Sequence, residues 1–394
     1  MLNVNDLTPQ KPMSETNAPD TAMETSDAAA VSSAETTITE PSADEEAVRI
    51  TLDQLVNLCI EKEASDIHFR EGGRAALRVG GKMIFIENIN ILTKREVELM
   101  INSILTNEEE KKRFENFREI DFSYTHSNGV NFRVNLFYQK DKLAGVMRMI
   151  SKHIPSMEEL GIPEVIKDIL AYREGLILVC GTAGSGKSTS IQSMLQYINN
   201  NFVKHIVTVE NPIEYVYEDK KSMVTQREVG KDTLTFDNAL RSAIREDANI
   251  VMVSEINNYE IMDDVLDLVE TGHLVIATML TKDASQTVER MVSFYPPDMR
   301  KMAQDRIASD LVAVVAQDLV QRKDQTGQIA LFELMFMNQS ISQIIKRGNF
   351  VQLRSAIQSG AEAGMITMDS YASELARHNL ISQEIASEYA QKEE

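Results

Sequence analysis

Two rhythms of apolar residues divide this chain. Between Thr51 and Ile150, short runs that alternate apolar with polar positions (SDIHF, AALRV, KMIFI, EIDFSYTH, VNFRVNLFY, LAGVMRMI) are separated by Gly72-Gly73, Gly80-Gly81 and Asn128-Gly129. Alternation punctuated by turn residues predicts strands, and the Asn-Gly pair marks a hairpin. Helices accompany them. Leu52, Leu55, Val56 and Cys59 share one helical face behind a Thr51-x-x-Gln54 capping box, and a second box, Thr93 to Glu96, opens EVELMINSIL. The expected product is a compact α+β domain over residues 48–151.

The segment SKHIPSMEELGIP, with Pro155 and Pro163, predicts a linker over 152–164. Beyond it the runs GLILV, HIVTV, NIVMVSE and HLVIATM are apolar throughout. They alternate with helical patterns carried by Ile191, Met194, Leu195 and Ile198, by Phe236, Leu240 and Ile244, and by Ile261, Val265, Leu268 and Val269. Such alternation predicts an α/β domain with a mainly parallel sheet covered by helices, here over 165–394. VAQDLVQR and QIALFELMF flank the turn Asp324 to Gly327 as a hairpin, and helices close the chain. Residues 1–47 hold ten acids, one Lys and almost no large apolar residues, the composition of a disordered tail.

Composition narrows the class. An apolar share of 43% in 394 residues suits a soluble protein of two or three domains. Two cysteines, Cys59 and Cys180, cannot make a disulfide framework or a four-cysteine zinc site, and both read as reduced core residues. No apolar run reaches the 18 or so residues of a membrane span, and no basic stretch followed by an apolar one opens the chain. A cytoplasmic protein without a transmembrane segment is expected, able to dock on a membrane complex. A net charge of -20 argues against nucleic acid as a partner, which would call for Lys and Arg.

The chemistry is concentrated at CGTAGSGKSTS. Gly181-x-x-x-x-Gly186-Lys187-Ser188 is a complete phosphate-loop pattern between a buried strand and a helix. Across Gly181, Thr182, Ala183, Gly184, Ser185 and Gly186, backbone amides can converge on phosphate oxygens. Lys187 can neutralise the outer phosphates, Ser188 can ligate Mg²⁺, and the helix start through Thr189 adds its positive dipole end. Hydrolysis also needs carboxylates. Glu210 follows HIVTV and Glu255 follows NIVMVS, both where parallel strands deliver their C-terminal ends.

Further phrases carry a resemblance. EKEASDIHF, RVGGKM, FRVNLF, SMEELGIP, GTAGSGKSTS, TVENPIEY, TQREVG, AIRED, ETGHLV and AEAGMITMDSYASEL occur in one order along the chain. From about Thr51 to Ala390 it resembles the PilT/PilU-like type IV pilus retraction ATPases of the type II/IV secretion motor superfamily. The resemblance implies a PAS-like first domain, a RecA-like P-loop second domain, and a ring of six subunits binding ATP and Mg²⁺. It implies that Glu210 activates water, that Glu255 is the Walker B carboxylate and a metal residue with Ser188, and that Arg133 and Arg148 reach the phosphates. His273 either joins the nucleotide set or simply begins a strand. The implied partners are an inner-membrane pilus platform protein and either further copies of the chain or a retraction ATPase paralogue. The lack of a four-cysteine module sets the chain apart from assembly-type relatives.

Several polar positions of the family pattern are replaced. Asn211 stands where the acidic box has Asp, Asn249, Ser254 and Asn257 where Walker B has Asp, Gly and Arg, Leu280 where the histidine box has its second His, and Asn131 where Arg is usual. All of these but Ser254 remove charge or a donor, which points to attenuated turnover and to a member closer to the PilU type. Two readings follow: a motor ATPase that turns over slowly, or a degenerate paralogue that modulates an active one.

Overall fold

The computed structural model describes residues 50–150 and 153–391, so the acidic tail read over 1–47 lies outside them. The chain divides between Ile150 and Ser151 into two compact units.

In the first unit α1 (Leu52–Glu61), α2 (Lys94–Ile104) and α3 (Glu108–Phe117) accompany six strands: β1 (Asp66–Arg70), β2 (Ala76–Val79), β3 (Lys82–Phe85), β4 (Glu119–Thr125), β5 (Asn131–Gln139) and β6 (Lys142–Met149). The strands form one sheet in the order β3-β2-β1-β6-β5-β4, with every pair antiparallel. Both capping boxes form, at Thr51 and Thr93. Period-two patterning puts Ile67, Leu77, Phe132, Val134, Leu136 and Met147 on the face packed by helical residues such as Leu55, Val97 and Phe114. Helix α3 is absent from the apolar pattern because Phe114 is its one buried residue. Its Asn107 cap and three acids in the first turn mark it instead.

The second unit continues with α4 (Val165–Ile169), β7 (Gly175–Cys180), α5 (Lys187–Asn201), β8 (His205–Glu210), β9 (Met223–Glu228), α6 (Phe236–Ala243), β10 (Ile250–Val253), α7 (Tyr259–Glu270) and β11 (Leu274–Met279). Then come α8 (Ala284–Ser293), α9 (Arg300–Asp310), β12 (Leu311–Gln321), β13 (Gln328–Phe336), α10 (Gln339–Arg347), α11 (Leu353–Ser359), α12 (Met368–Arg377) and α13 (Gln383–Gln391). The seven-stranded sheet runs β13-β12-β7-β11-β10-β8-β9. All neighbours are parallel except the β12–β13 hairpin. This is the mainly parallel α/β core expected, preceded by the expected antiparallel α+β unit.

Strands β7, β10 and β11 are buried at every position, because both faces are covered. Ile177, Val179, Ile250, Met252 and Ile276 face α5, and Leu178, Val251, Val253, Val275 and Ala277 face α6 to α9. Met157 and Ile162, within the segment read as linker, are buried in the core on the α5 side. Strand β9 eluded the pattern for an equally physical reason. MVTQRE lies at the sheet edge, paired on one side to β8, and has no need of an apolar run.

Candidate functional site

Parallel pairing aligns the C-terminal ends of β7, β11, β10 and β8 along one edge of this sheet, with the middle of β12 beside them. Cys180 of β7 pairs Met279 of β11 and Ala316 of β12, and Val253 of β10 pairs Ala277 and Val209. The residues that leave these strands are Gly181, Leu280, Ser254-Glu255 and Glu210-Asn211. The fold therefore brings the phosphate loop and both glutamates to one edge.

The loop turns because Gly184 and Gly186 take left-handed backbone, with φ of 82° and 86°. Gly186 caps α5, and Lys187 opens it. The Lys187 side chain is buried and curls over the loop, its Nζ donating to the carbonyl oxygens of Gly181 at 2.9 Å and Thr182 at 2.7 Å. Burial pushes the ammonium below its usual range, against the opposing pull of Cys180, Glu255 and Glu214. Ser188 and Thr189 in the first turn are half-buried, and Thr182, Ala183 and Gly184 are exposed at the rim. Ser185 is buried in the loop floor, its Oγ without a hydrogen-bond partner among the described residues.

Glu210, 1% exposed, accepts hydrogen bonds from Thr208 Oγ1 at 2.7 Å and Gln226 Nε2 at 3.1 Å. Burial raises its pKa above the ordinary carboxylate range, although those two donors act in the opposite sense. Gln226 is held in turn, donating to the Tyr215 carbonyl at 2.8 Å and accepting from Tyr217 N. The Tyr217 hydroxyl donates to Gln192 on α5, tying this strand end to the loop helix. Glu255 is half-buried after β10, and the loop ahead of it is fastened to β11 by the Thr278 hydroxyl on the Ser254 carbonyl and by Ile256 N on the Thr278 carbonyl.

Two positions lie elsewhere. His273 precedes β11 at the opposite edge of the sheet, separated from Met279 by a strand of about 16–20 Å. Its Nδ1 donates to the Leu268 carbonyl at 2.9 Å, and its own carbonyl accepts from Gly175 N. Within its unit it begins a strand and lies a strand's length from the phosphate loop. Asn249 is at that same remote edge, where its Oδ1 accepts from His205 N at 2.8 Å. It therefore gives no support to a metal at the loop, contrary to the Walker B comparison. Leu280, by contrast, sits at the loop edge with 56% exposure.

The arginines are in the first unit. Arg133 and Arg148 are directly opposite on β5 and β6, and Arg148 is opposite Asp66 on β1, itself opposite Arg78 on β2. Asp66 is buried under this row, with Arg148 Nε at 2.8 Å, Arg78 Nε at 3.5 Å and a hydrogen bond from Ser65. Desolvation raises its pKa, but the hydrogen bonds from Ser65 and Arg148 prevail, leaving it below the ordinary range. Asp66 and Gln226 carry no mark of their own in the sequence pattern. The first occurs only inside the phrase EKEASDIHF and the second only inside TQREVG, on the edge strand β9.

Comparison with known proteins places the geometry in a lineage. The family described as type II/IV secretion system protein matches residues 41–369. The type IV pilus retraction ATPase PilT of Pseudomonas aeruginosa is 40% identical over 337 residues, covering 86% of this chain and 97% of that protein. The type IV pilus ATPase PilU of the same organism is 32% identical over 317 residues, covering 80% and 82%. The crystal structure of the pilus retraction motor PilT with bound ADP superposes with a TM-score of 0.80 at 33% identity, covering 86% of this chain and 97% of that one. Overall identity is thus higher to the PilT relative, so the leaning toward the PilU type rests on local substitutions alone. The chain belongs to the type II/IV secretion system protein family, among its PilT/PilU-like pilus retraction ATPases.

Proposed function

We propose that the chain is an ATP-driven motor of type IV pilus retraction, which binds Mg·ATP at Gly181–Thr189 and hydrolyses it slowly. One observation carries this reading. The phosphate loop, with its buried Lys187, shares a sheet edge with Glu210 and Glu255. The loop floor suits the triphosphate, since it combines left-handed glycines, a buried ammonium and the orphaned Ser185 hydroxyl. A divalent cation would be held by the Ser188 hydroxyl and the Glu255 carboxylate. No set of three His, Cys, Asp or Glu side chains able to hold a metal occurs among the described residues. The site therefore suits Mg²⁺, which takes most of its ligands from phosphate and water. When bound, Mg²⁺ neutralises charge on the phosphate oxygens.

The chain's own groups do the rest. Lys187, released from the loop carbonyls, pairs with the outer phosphates. Glu210, once ionised, accepts the proton of the attacking water, and its buried site excludes competing solvent. Arg148, steadied by Asp66, and Arg133 beside it supply guanidinium forks to the phosphates across an assembled ring. Six subunits, alone or mixed with a retraction paralogue, would act on an inner-membrane platform protein from the cytoplasmic side. Among the described residues no helix is long and apolar enough to cross a membrane. Phosphate release by the purified chain against Lys187→Ala tests the motor reading, and equal rates would end it.

A second reading, that of an accessory paralogue, is favoured by Leu280 and Asn211. Both replacements sit at the loop edge; Leu280 lacks a donor, which lowers turnover by about 10²- to 10³-fold, and Asn211 lacks a negative charge. On that reading Lys187→Ala in cells leaves pilus retraction intact while deletion of the chain impairs it. A point mutant as defective as the deletion rules it out.

A further inference from the structure

Gln317 stands one residue past Ala316, the β12 partner of Cys180, and so lies level with the first glycine of the phosphate loop. It is 3% exposed. Its Nε2 donates to the Ser185 carbonyl at 2.8 Å, and its Oε1 accepts from Ser190 Oγ at 2.7 Å. A Cβ on Gly181 would lie 2.3 Å from the Gln317 carbonyl oxygen, and one on Gly186 would lie 2.8 Å from Nε2. One residue of β12 therefore abuts both pattern glycines, the loop floor and the second turn of α5. Those glycines are required for close approach to Gln317 as much as for the turn.

We propose that Gln317 is the positioning residue of the phosphate loop, setting its affinity for the nucleotide phosphates. The proposal rests on the nucleotide site inferred above. In a trans peptide the C=O and N–H point opposite ways. Anchoring the Ser185 carbonyl to β12 therefore turns the Gly186 N–H away from β12, to the side where loop amides meet phosphate. The task needs one donor and one acceptor at a fixed spacing, which a primary amide supplies. An ionised carboxylate would set two acceptors against the Ser185 carbonyl, whereas a protonated one again offers a donor.

That difference gives the test. Mg·ADP is titrated calorimetrically into the full-length protein and Gln317→Glu, at about pH 8.5 and about pH 6, with melting temperatures recorded. The ionisable groups on the neighbouring elements, Lys187, Cys180, Asp318 and Glu333, are the same in both proteins, so the ratio of affinities isolates position 317. The variant should bind at least about tenfold more weakly at high pH, an anchor having become a repulsion, and recover toward wild type at low pH. Affinity within twofold of wild type at high pH, or a deficit equal at both pH values, overturns the proposal, since a scaffold role alone moves melting but gives no recovery. Should this variant fail to fold, Ser190→Ala loosens only the Oε1 anchor and must weaken binding by about threefold. Unchanged affinity there overturns the proposal too. Wild-type protein that binds no Mg·ADP would instead overturn the nucleotide site itself.

Discussion

The two edges of the second unit's sheet hold similar residues in different trades. At the C-terminal edge Lys187, Glu210, Glu255 and Leu280 surround the phosphate loop. At the N-terminal edge His273 and Asn249 spend their polar atoms on the scaffold, bonding Leu268 of α7 and the sheet residues Gly175, His205 and, through the Asn249 carbonyl, Leu274. In a parallel sheet every strand has one end at each edge, so a short motif spanning a strand contributes to both. A substitution within such a motif has to be weighed by the end at which it falls. Asn249 and Leu280 look alike as losses from a family pattern, yet only Leu280 stands at the edge that carries the phosphate loop.

The largest expected contrast comes from Lys187→Ala, which should cut Mg·ATP hydrolysis at least about 10³-fold, to background in a phosphate-release assay. Glu210→Gln should follow with a loss of about 10²- to 10³-fold, and nucleotide affinity by calorimetry should be kept. This variant also carries a pH signature. A carboxyl whose folded pKa is raised contributes stability below the ordinary Glu range near 4.3 that is lost as pH rises through the folded value. Glu210→Gln removes that loss, so its melting temperature relative to wild type should climb with pH. A flat difference would contradict the raised pKa. Leu280→His restores a donor at the loop edge and should raise turnover by about tenfold, whereas no gain would remove Leu280 from the case for the slow hydrolysis proposed above. Smallest of all, Asn249→Ala and His273→Ala should leave turnover within about twofold while lowering stability by about 1–2 kcal/mol in denaturant unfolding. Loss of activity with stability unchanged would break the division between the edges.

Much of this was legible beforehand because it depends on local spacing. The capping boxes at Thr51 and Thr93, the fully buried strands around the loop, and Gly181 to Ser188 all state their roles within a few residues. What escaped was carried by polar residues in settings that local pattern does not mark. Helix α3 buries only Phe114, and β9 is an edge strand. Gln317 looks like one more polar residue in an apolar strand until β12 is laid beside β7.

The amino-acid order alone therefore determined two domains of different patterning, a phosphate loop between strand and helix, and carboxylates at strand ends, since periodicity and turn chemistry act over a few residues. Tertiary structure alone decided which strand ends share an edge, that His273 and Asn249 lie a strand's length from the loop, and that Gln317 lies beneath it. Strand order and register are set by contacts between segments far apart in the chain, and a linear pattern does not record who its neighbours will be.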